Sequence, residues 1–166
     1  MTNSDYSVYY GIKELHRLHT ASSLAFDTET LQLQPEKGKL RLLQLGSYTL
    51  KTIVIIDCFE LSDNNWNYLN RFFQNGARYW LAHNAVFDLG WLQEHDIYVR
   101  GKVRCSMLAS RLLTNGIPKT KNGLADVAKR YLDMEVSKEQ QKSNWGADVL
   151  SSAQLEYAAK DIEVLL

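Results

Sequence analysis

Asp27 and Glu29 stand one residue apart in the run Phe26-Asp27-Thr28-Glu29-Thr30, at the end of an apolar stretch that starts at Ser22. In an extended strand, side chains two residues apart share a face, so the two carboxylates converge. At that separation they repel unless a cation or a proton sits between them. A pair of acids on a solvated strand end would have the same spacing, so the rest of the chain has to decide. Asp88 ends the run His83-Asn84-Ala85-Val86-Phe87-Asp88, in the first turn of a helix that follows a short apolar stretch. The helix dipole alone makes an acid at home there. Tyr157 and Asp161 lie four apart in the final helical stretch and therefore share one helix face. Glu156 and Glu163 fall elsewhere on that helix and are expected in solvent.

The elements that must position these groups follow from periodicity and breakers. Residues 1–9 have no clear period and are expected to form an arm. Ile12, Leu15 and Leu18 recur at helical spacing among Lys13, His16, Arg17 and His19, which predicts a short amphipathic helix with both histidines on its solvated face. After the strand bearing Asp27 and Glu29, Pro35 and Gly38 mark a loop over 32–38. Leu40 to Leu45 and Thr52 to Asp57 are expected as strands with a turn at Gly46-Ser47-Tyr48. The continuous apolar run Ile53-Val54-Ile55-Ile56 fits a strand covered on both faces. With such short connections, these three strands form an antiparallel meander. Ser62 is placed to cap a helix carrying Trp66, Leu69, Phe72 and Phe73, with Gly76 as its stop. Arg78 to Ala82 is a strand feeding the helix of Asp88. A short strand over Tyr98 to Val103 follows, then helices from Ser106 to Leu113 and around Leu124 to Leu132. Residues 135–149, polar around Trp145 and Gly146, form an ordered loop. Ser151 and Gln154 have capping-box spacing and open a last helix that reaches Leu166 without a stop signal, so the chain looks cut there. Three strands followed by alternating helix and strand indicate an α/β domain with a mixed sheet and helices on both faces.

The 166 residues suit one domain with a substantial core. The 19 acidic and 19 basic residues balance, which makes a broad, purely electrostatic nucleic-acid coat unlike this chain but leaves room for a local basic stripe. Cys58 and Cys105 form no CxxC pair, so they suggest neither a disulfide framework nor a zinc site, and both are expected as reduced, buried thiols. Nothing resembles a signal peptide or a long apolar span, so the expected partners exclude a membrane and the expected location is the cytoplasm. Trp66, Trp80 and Trp91 are assigned to the core.

Taken together, Asp27 and Glu29 on a strand, Asp88 after a later strand, and Tyr157 with Asp161 on a late helix resemble the DEDD superfamily of 3′-to-5′ exonucleases, in its tyrosine-bearing branch. The likeness runs from Leu24 to Leu166. The histidine-bearing branch would carry His five residues before the last Asp, where this chain has Glu156. Lys138, Gln141, Ser143, Asn144 and Trp145, followed by Gln154-Leu155-Glu156-Tyr157-Ala158-Ala159-Lys160-Asp161, are most similar to ribonuclease D and the Werner-type exonuclease domains. The runs around Asp27 and Asp88 also look like proofreading domains of family A DNA polymerases. The resemblance implies a ribonuclease H-like fold and one exonuclease domain over residues 1–166. One departure stands out: where the family commonly continues from the tryptophan to Arg-Pro-Leu, Trp145 leads to Gly146-Ala147-Asp148, which shifts the expected phosphate contact toward Lys138 or Lys142.

By the same resemblance, Asp27, Glu29, Asp88, Tyr157 and Asp161 are the catalytic set, and the four carboxylates hold two divalent cations, one on Asp27, Glu29 and Asp161 and one on Asp27 with Asp88. Oxygen ligands of this kind select Mg²⁺ or Mn²⁺ over Zn²⁺. Tyr157 orients the attacking water. Leu33 matches a wedge against the terminal base and Asn84 and Phe87 match substrate-contacting positions, while Thr28, His83 and Lys138 complete the expected substrate-binding set. His83 also suits a polar structural role at a strand end. The implied activity is hydrolysis of phosphodiester bonds at the 3′ end of single-stranded DNA or RNA, releasing nucleoside 5′-monophosphates. The alternative is a nucleic-acid binding module that retains the fold with weak catalysis.

Overall fold

The computed structural model describes residues 5–166. Apolar residues on both faces of the central strands require cover on both sides, and the chain supplies it as a six-stranded sheet between two helical layers. Strands β1 (Ser7–Tyr10), β2 (Ser23–Thr30), β3 (Leu40–Ser47), β4 (Thr52–Asp57), β5 (Tyr79–Ala82) and β6 (Lys102–Cys105) lie in the order β1-β4-β3-β2-β5-β6. β2, β3 and β4 form the expected antiparallel meander. β5 joins β2, β6 joins β5 and β1 joins β4, each in parallel.

Helices α1 (Asp63–Phe73) and α2 (Ala85–Glu94) cover one face, where Phe26, Leu43, Val54, Phe73, Trp80 and Trp91 make the larger core. On that side the rings of Phe73 and Trp80 stack at 4.6 Å. Helix α5 (Ser152–Leu165) covers the other face over Ala25, Leu42, Ile53 and Ile55. Helices α3 (Ser106–Leu113) and α4 (Leu124–Leu132) follow β6. Both predicted caps form: the Ser62 side chain accepts from Asn65 and the Ser151 side chain from Gln154, each as a full capping box.

Several expectations change. The arm predicted over 1–9 is partly strand, because Ser7 to Tyr10 find the edge of β4; residues 1–4 lie outside the described residues. The strand predicted over Tyr98 to Val103 begins only at Lys102, because Gly101 has φ +98 and the Arg100 N–H bonds the Phe73 carbonyl instead of a ladder partner. Ile12–Leu18 winds as a 3₁₀ helix, with Leu15 and Leu18 buried as expected. Trp66 is half-buried and stacks flat on His95 at 4.1 Å, whereas Trp80 and Trp91 are fully buried. Cys58 is buried, Cys105 is half-buried, and both are free.

Candidate active site

β2 and β5 run parallel, so their carboxyl ends open on the same side of the sheet, the place where α/β sheets bind ligands. A cleft of about 570 Å³ lies there, lined by every one of the eleven site residues expected from sequence. Asp27 and Glu29 share the sheet face that α5 covers, and one carboxylate oxygen from each of Asp27, Glu29 and Asp161 lies within 4.8 Å of the other two. A shift in the β2–β3 register falls just after Glu29, at Thr30.

Asp88 comes from the opposite layer. Its helix packs through Ala85, Trp91 and Leu92 into the larger core, on the face to which Thr28 points. There the Thr28 hydroxyl donates to Asp88 Oδ1 at 2.6 Å, tying the first turn of α2 to the strand of the other acids. Asn84 makes the sharp exit from β5 in the left-handed region, φ 61, a conformation that asparagine tolerates.

Burial dominates the electrostatics. It pushes Glu29 up to about 9, with Asp161 and Asp88 adding repulsion. Asp88 is raised to about 7 by burial, against the pull of the Thr28 hydroxyl. Asp161 is raised to about 6, again by burial, and the Tyr157 hydroxyl works the other way. Asp27 is held well above the usual carboxylate range by burial, then by Asp88, Glu29 and Asp161. Burial, then Asp161, Glu29 and Asp27, raise Tyr157 too, so its hydroxyl keeps its proton and remains a hydrogen-bond donor. A site of converging carboxylates that cannot all ionise suits a hard divalent cation, and the all-oxygen donor set fits Mg²⁺ or Mn²⁺.

The walls are built from separate segments. Leu33 is 83% exposed on the β2–β3 connection and Phe87 faces the cleft from α2. His83 Nδ1 hydrogen-bonds the Ser106 hydroxyl at 2.9 Å, and burial lowers its pKa, which fits a neutral ring tying β5 to α3. Lys138 and Lys142 line the cleft from the 135–149 loop, and Lys138 stands 3.6 Å from Asp126. Asp148 is exposed and does not line it. That loop is ordered as expected: Trp145 is buried with its ring 6.4 Å from that of Tyr157, and Gln154 Nε2 donates to Ser143 Oγ and the Asn144 carbonyl. Arg41, buried in β3, donates to the carbonyls of Ala147 and Asp148. Met107 of α3, Leu124 and Ala125 of α4, and Val136 also line the cleft and were not foreseen. They are ordinary apolar residues brought in by long-range packing, and no local pattern marks them.

A family profile described as 3′-5′ exonuclease matches residues 12–166. DNA polymerase I of Aquifex aeolicus is 33% identical over 153 residues, covering 92% of this chain and 24% of the polymerase. Ribonuclease D of Haemophilus influenzae is 33% identical over 146 residues, 87% of this chain and 35% of that protein. The chain thus spans about a quarter to a third of the length of these relatives. Among solved structures, Brucella melitensis NrnC bound to pGG superposes with a TM-score of 0.79 at 29% identity, over 96% of this chain and 76% of that one. NrnC with bound Mg²⁺ gives 0.75 at 28% identity, over 96% and 76%. Escherichia coli RNase D, at 20% identity and a TM-score of 0.80 over 96% of this chain and 42% of its own, shares the fold.

Proposed function

The chain belongs to the 3′-5′ exonuclease family, within the ribonuclease D-like part of the DEDD superfamily, and from that premise we propose that it is a tyrosine-bearing exonuclease that shortens single-stranded nucleic acid from the 3′ end. The observation that carries this reading is the meeting of Asp27, Glu29 and Asp161 within 4.8 Å on the wall of a cleft that also takes in Asp88 and Tyr157.

Asp27, Glu29 and Asp161 would hold one divalent cation, and Asp27 with Asp88 a second. Bound there, such ions offset the charge that builds on a phosphodiester and make hydroxide available near neutral pH. The similarity to NrnC, whose structures include one with Mg²⁺ and one with pGG, supports both a divalent ion and an oligonucleotide ligand. Tyr157, kept protonated, donates a hydrogen bond that orients the attacking water. Thr28 fixes Asp88 by its hydrogen bond to Oδ1, at the edge of the cleft. Leu33 and Phe87 offer apolar surface for the terminal base, the usual way in which single strands are held. Lys138 and Lys142 supply positive charge for phosphate from the opposite wall. The cleft has the size of a small-ligand site, which favours a strand end over a duplex.

Charge is also segregated along the chain. Residues 97–125 hold six cations, Arg100, Lys102, Arg104, Arg111, Lys119 and Lys121, and no acid. All six are exposed, and none is in an ion pair among the described residues. Met107 and Gly123, at the cleft wall, belong to the same segment, so a strand leaving the site has a basic surface to follow.

The deciding experiment follows 5′-labelled single-stranded DNA and RNA on a denaturing gel with Mg²⁺, Mn²⁺ or EDTA, comparing wild type with Asp27→Ala. A cation-dependent ladder receding from the 3′ end is expected, reduced by about 10²–10³-fold or more in the variant, the scale of losing one electrostatic partner of the transition state. A folded protein that binds the oligonucleotides yet yields no ladder with either cation would leave a binding module instead.

A further inference from the structure

Gln44 occupies the middle of β3, fully buried, and neither atom of its side-chain amide has a hydrogen-bond partner among the described residues. A buried amide without partners costs folding free energy, and an apolar side chain of the same size would not. Its surroundings narrow what the amide is for. Gln44 lies directly opposite Asp27 in the β2–β3 ladder and opposite Ile55 on the other side, so its side chain shares the sheet face of Asp27. Leu42 and Gly46 flank it along the strand, and the cluster on that face is otherwise Ala25, Leu42, Ile53, Ile55, Trp145, Ala158 and Ile162. Within the sheet, Asp27 is the polar residue directly opposite Gln44 on this face, with Glu29 and Asp57 diagonal to it.

We propose that Gln44 is a positioning residue for the cation site: when Asp27 ionises to hold a divalent ion, the Gln44 amide, unpartnered here, turns to donate its N–H to the Asp27 carboxylate and holds it toward the ion. The inference rests on the reading of Asp27 as a cation ligand. It accounts for a polar residue kept where packing alone would favour Met or Leu. The acids Glu29, Asp88 and Asp161 repel Asp27, the Thr28 backbone helps to hold it, and the neutral amide of Gln44 lies directly across the ladder. Groups that orient a metal's ligands in this way typically change metal affinity by about 10–100-fold when removed.

The test uses Gln44→Met, close in volume and without a donor, and Gln44→Leu as a second shape. Mn²⁺ binding is measured by titration calorimetry on the full chain, and thermal melts are run in chelator. The expected result is an affinity for Mn²⁺ at least tenfold weaker in both variants, with a melting temperature in chelator equal to wild type or higher. A purely structural glutamine would give the opposite pattern. Affinity within about twofold of wild type, a lower melting temperature in chelator, or variants that no longer fold would each overturn the proposal, the last because an apolar isostere should then cost nothing. A wild-type chain that binds no Mn²⁺ would overturn the cation-ligand reading together with it, which separates the two failures.

Discussion

Glu29, Asp88 and Asp161 retain protons in the folded chain at pH values where an unfolded chain has released them, since each is raised, to about 9, about 7 and about 6, from ordinary values near 4. Between those limits the native state binds more protons than the unfolded one. Stability therefore falls as pH rises through that window, in the absence of divalent ions. In EDTA the melting temperature should drop by about 5 °C or more between about pH 5 and about pH 8. Saturating Mg²⁺ or Mn²⁺ should remove most of that drop, because ions bind the ionised carboxylates of the native state. Scanning calorimetry across pH, with chelator and with each cation, checks both; a chelated protein that grows more stable toward pH 8 would contradict the crowded-carboxylate picture. Tyr157 is the complementary case, a group that contributes orientation without charge. Tyr157→Phe should lower kcat by about 10²-fold, the scale of a misplaced reactant, while calorimetry finds Mn²⁺ affinity near that of wild type.

Helix α5 carries two of the five catalytic candidates, so its seating on the sheet sets their position. It approaches β3 so closely that a Cβ at Gly46 would run into the side chains of Ile162 and Leu166. Gly46→Ala is expected to cost about 1–3 kcal/mol, the usual penalty of overpacking, and to slow cleavage by displacing Asp161 and Tyr157. Denaturant melts and single-turnover rates on the same protein measure the two effects. At its other end, α5 is held by the Ser151–Gln154 capping box, and Gln154 in turn grips the Asn144 carbonyl, so one residue joins the helix start to the loop of Trp145. Arg41 anchors the far side of that loop. The loop therefore has structure without regular hydrogen bonding, and its lysines face the cleft from a fixed base.

Over the whole molecule, a neutral total hides a division: 97–125 carries six cations and no acid, while the 13 remaining cations face all 19 acids. Reversing Arg104, Lys119 and Lys121 together to Glu should weaken binding of long single strands far more than of dinucleotides. It should also flatten the dependence of log K on log salt by about 0.7 for each phosphate that the protein no longer neutralises; fluorescence anisotropy against salt, at two strand lengths, reads this directly. The sequence alone determined the features that repeat locally. The Asp27–Glu29 alternation, the Tyr157–Asp161 turn, both capping boxes and the β2–β3–β4 meander follow from fixed periods of strand and helix and from adjacent pairing, so they are legible residue by residue. Tertiary structure decided the rest: that Ser7–Tyr10 pairs with β4, that Asp88 reaches the site from the opposite layer on a hydrogen bond to Thr28, sixty residues away, that Arg41 pins the 147–148 backbone, and that Gln44 is sealed beside Asp27. Each of these pairings joins segments distant along the chain, where the gain comes from burial and hydrogen bonding in three dimensions and no local pattern announces it.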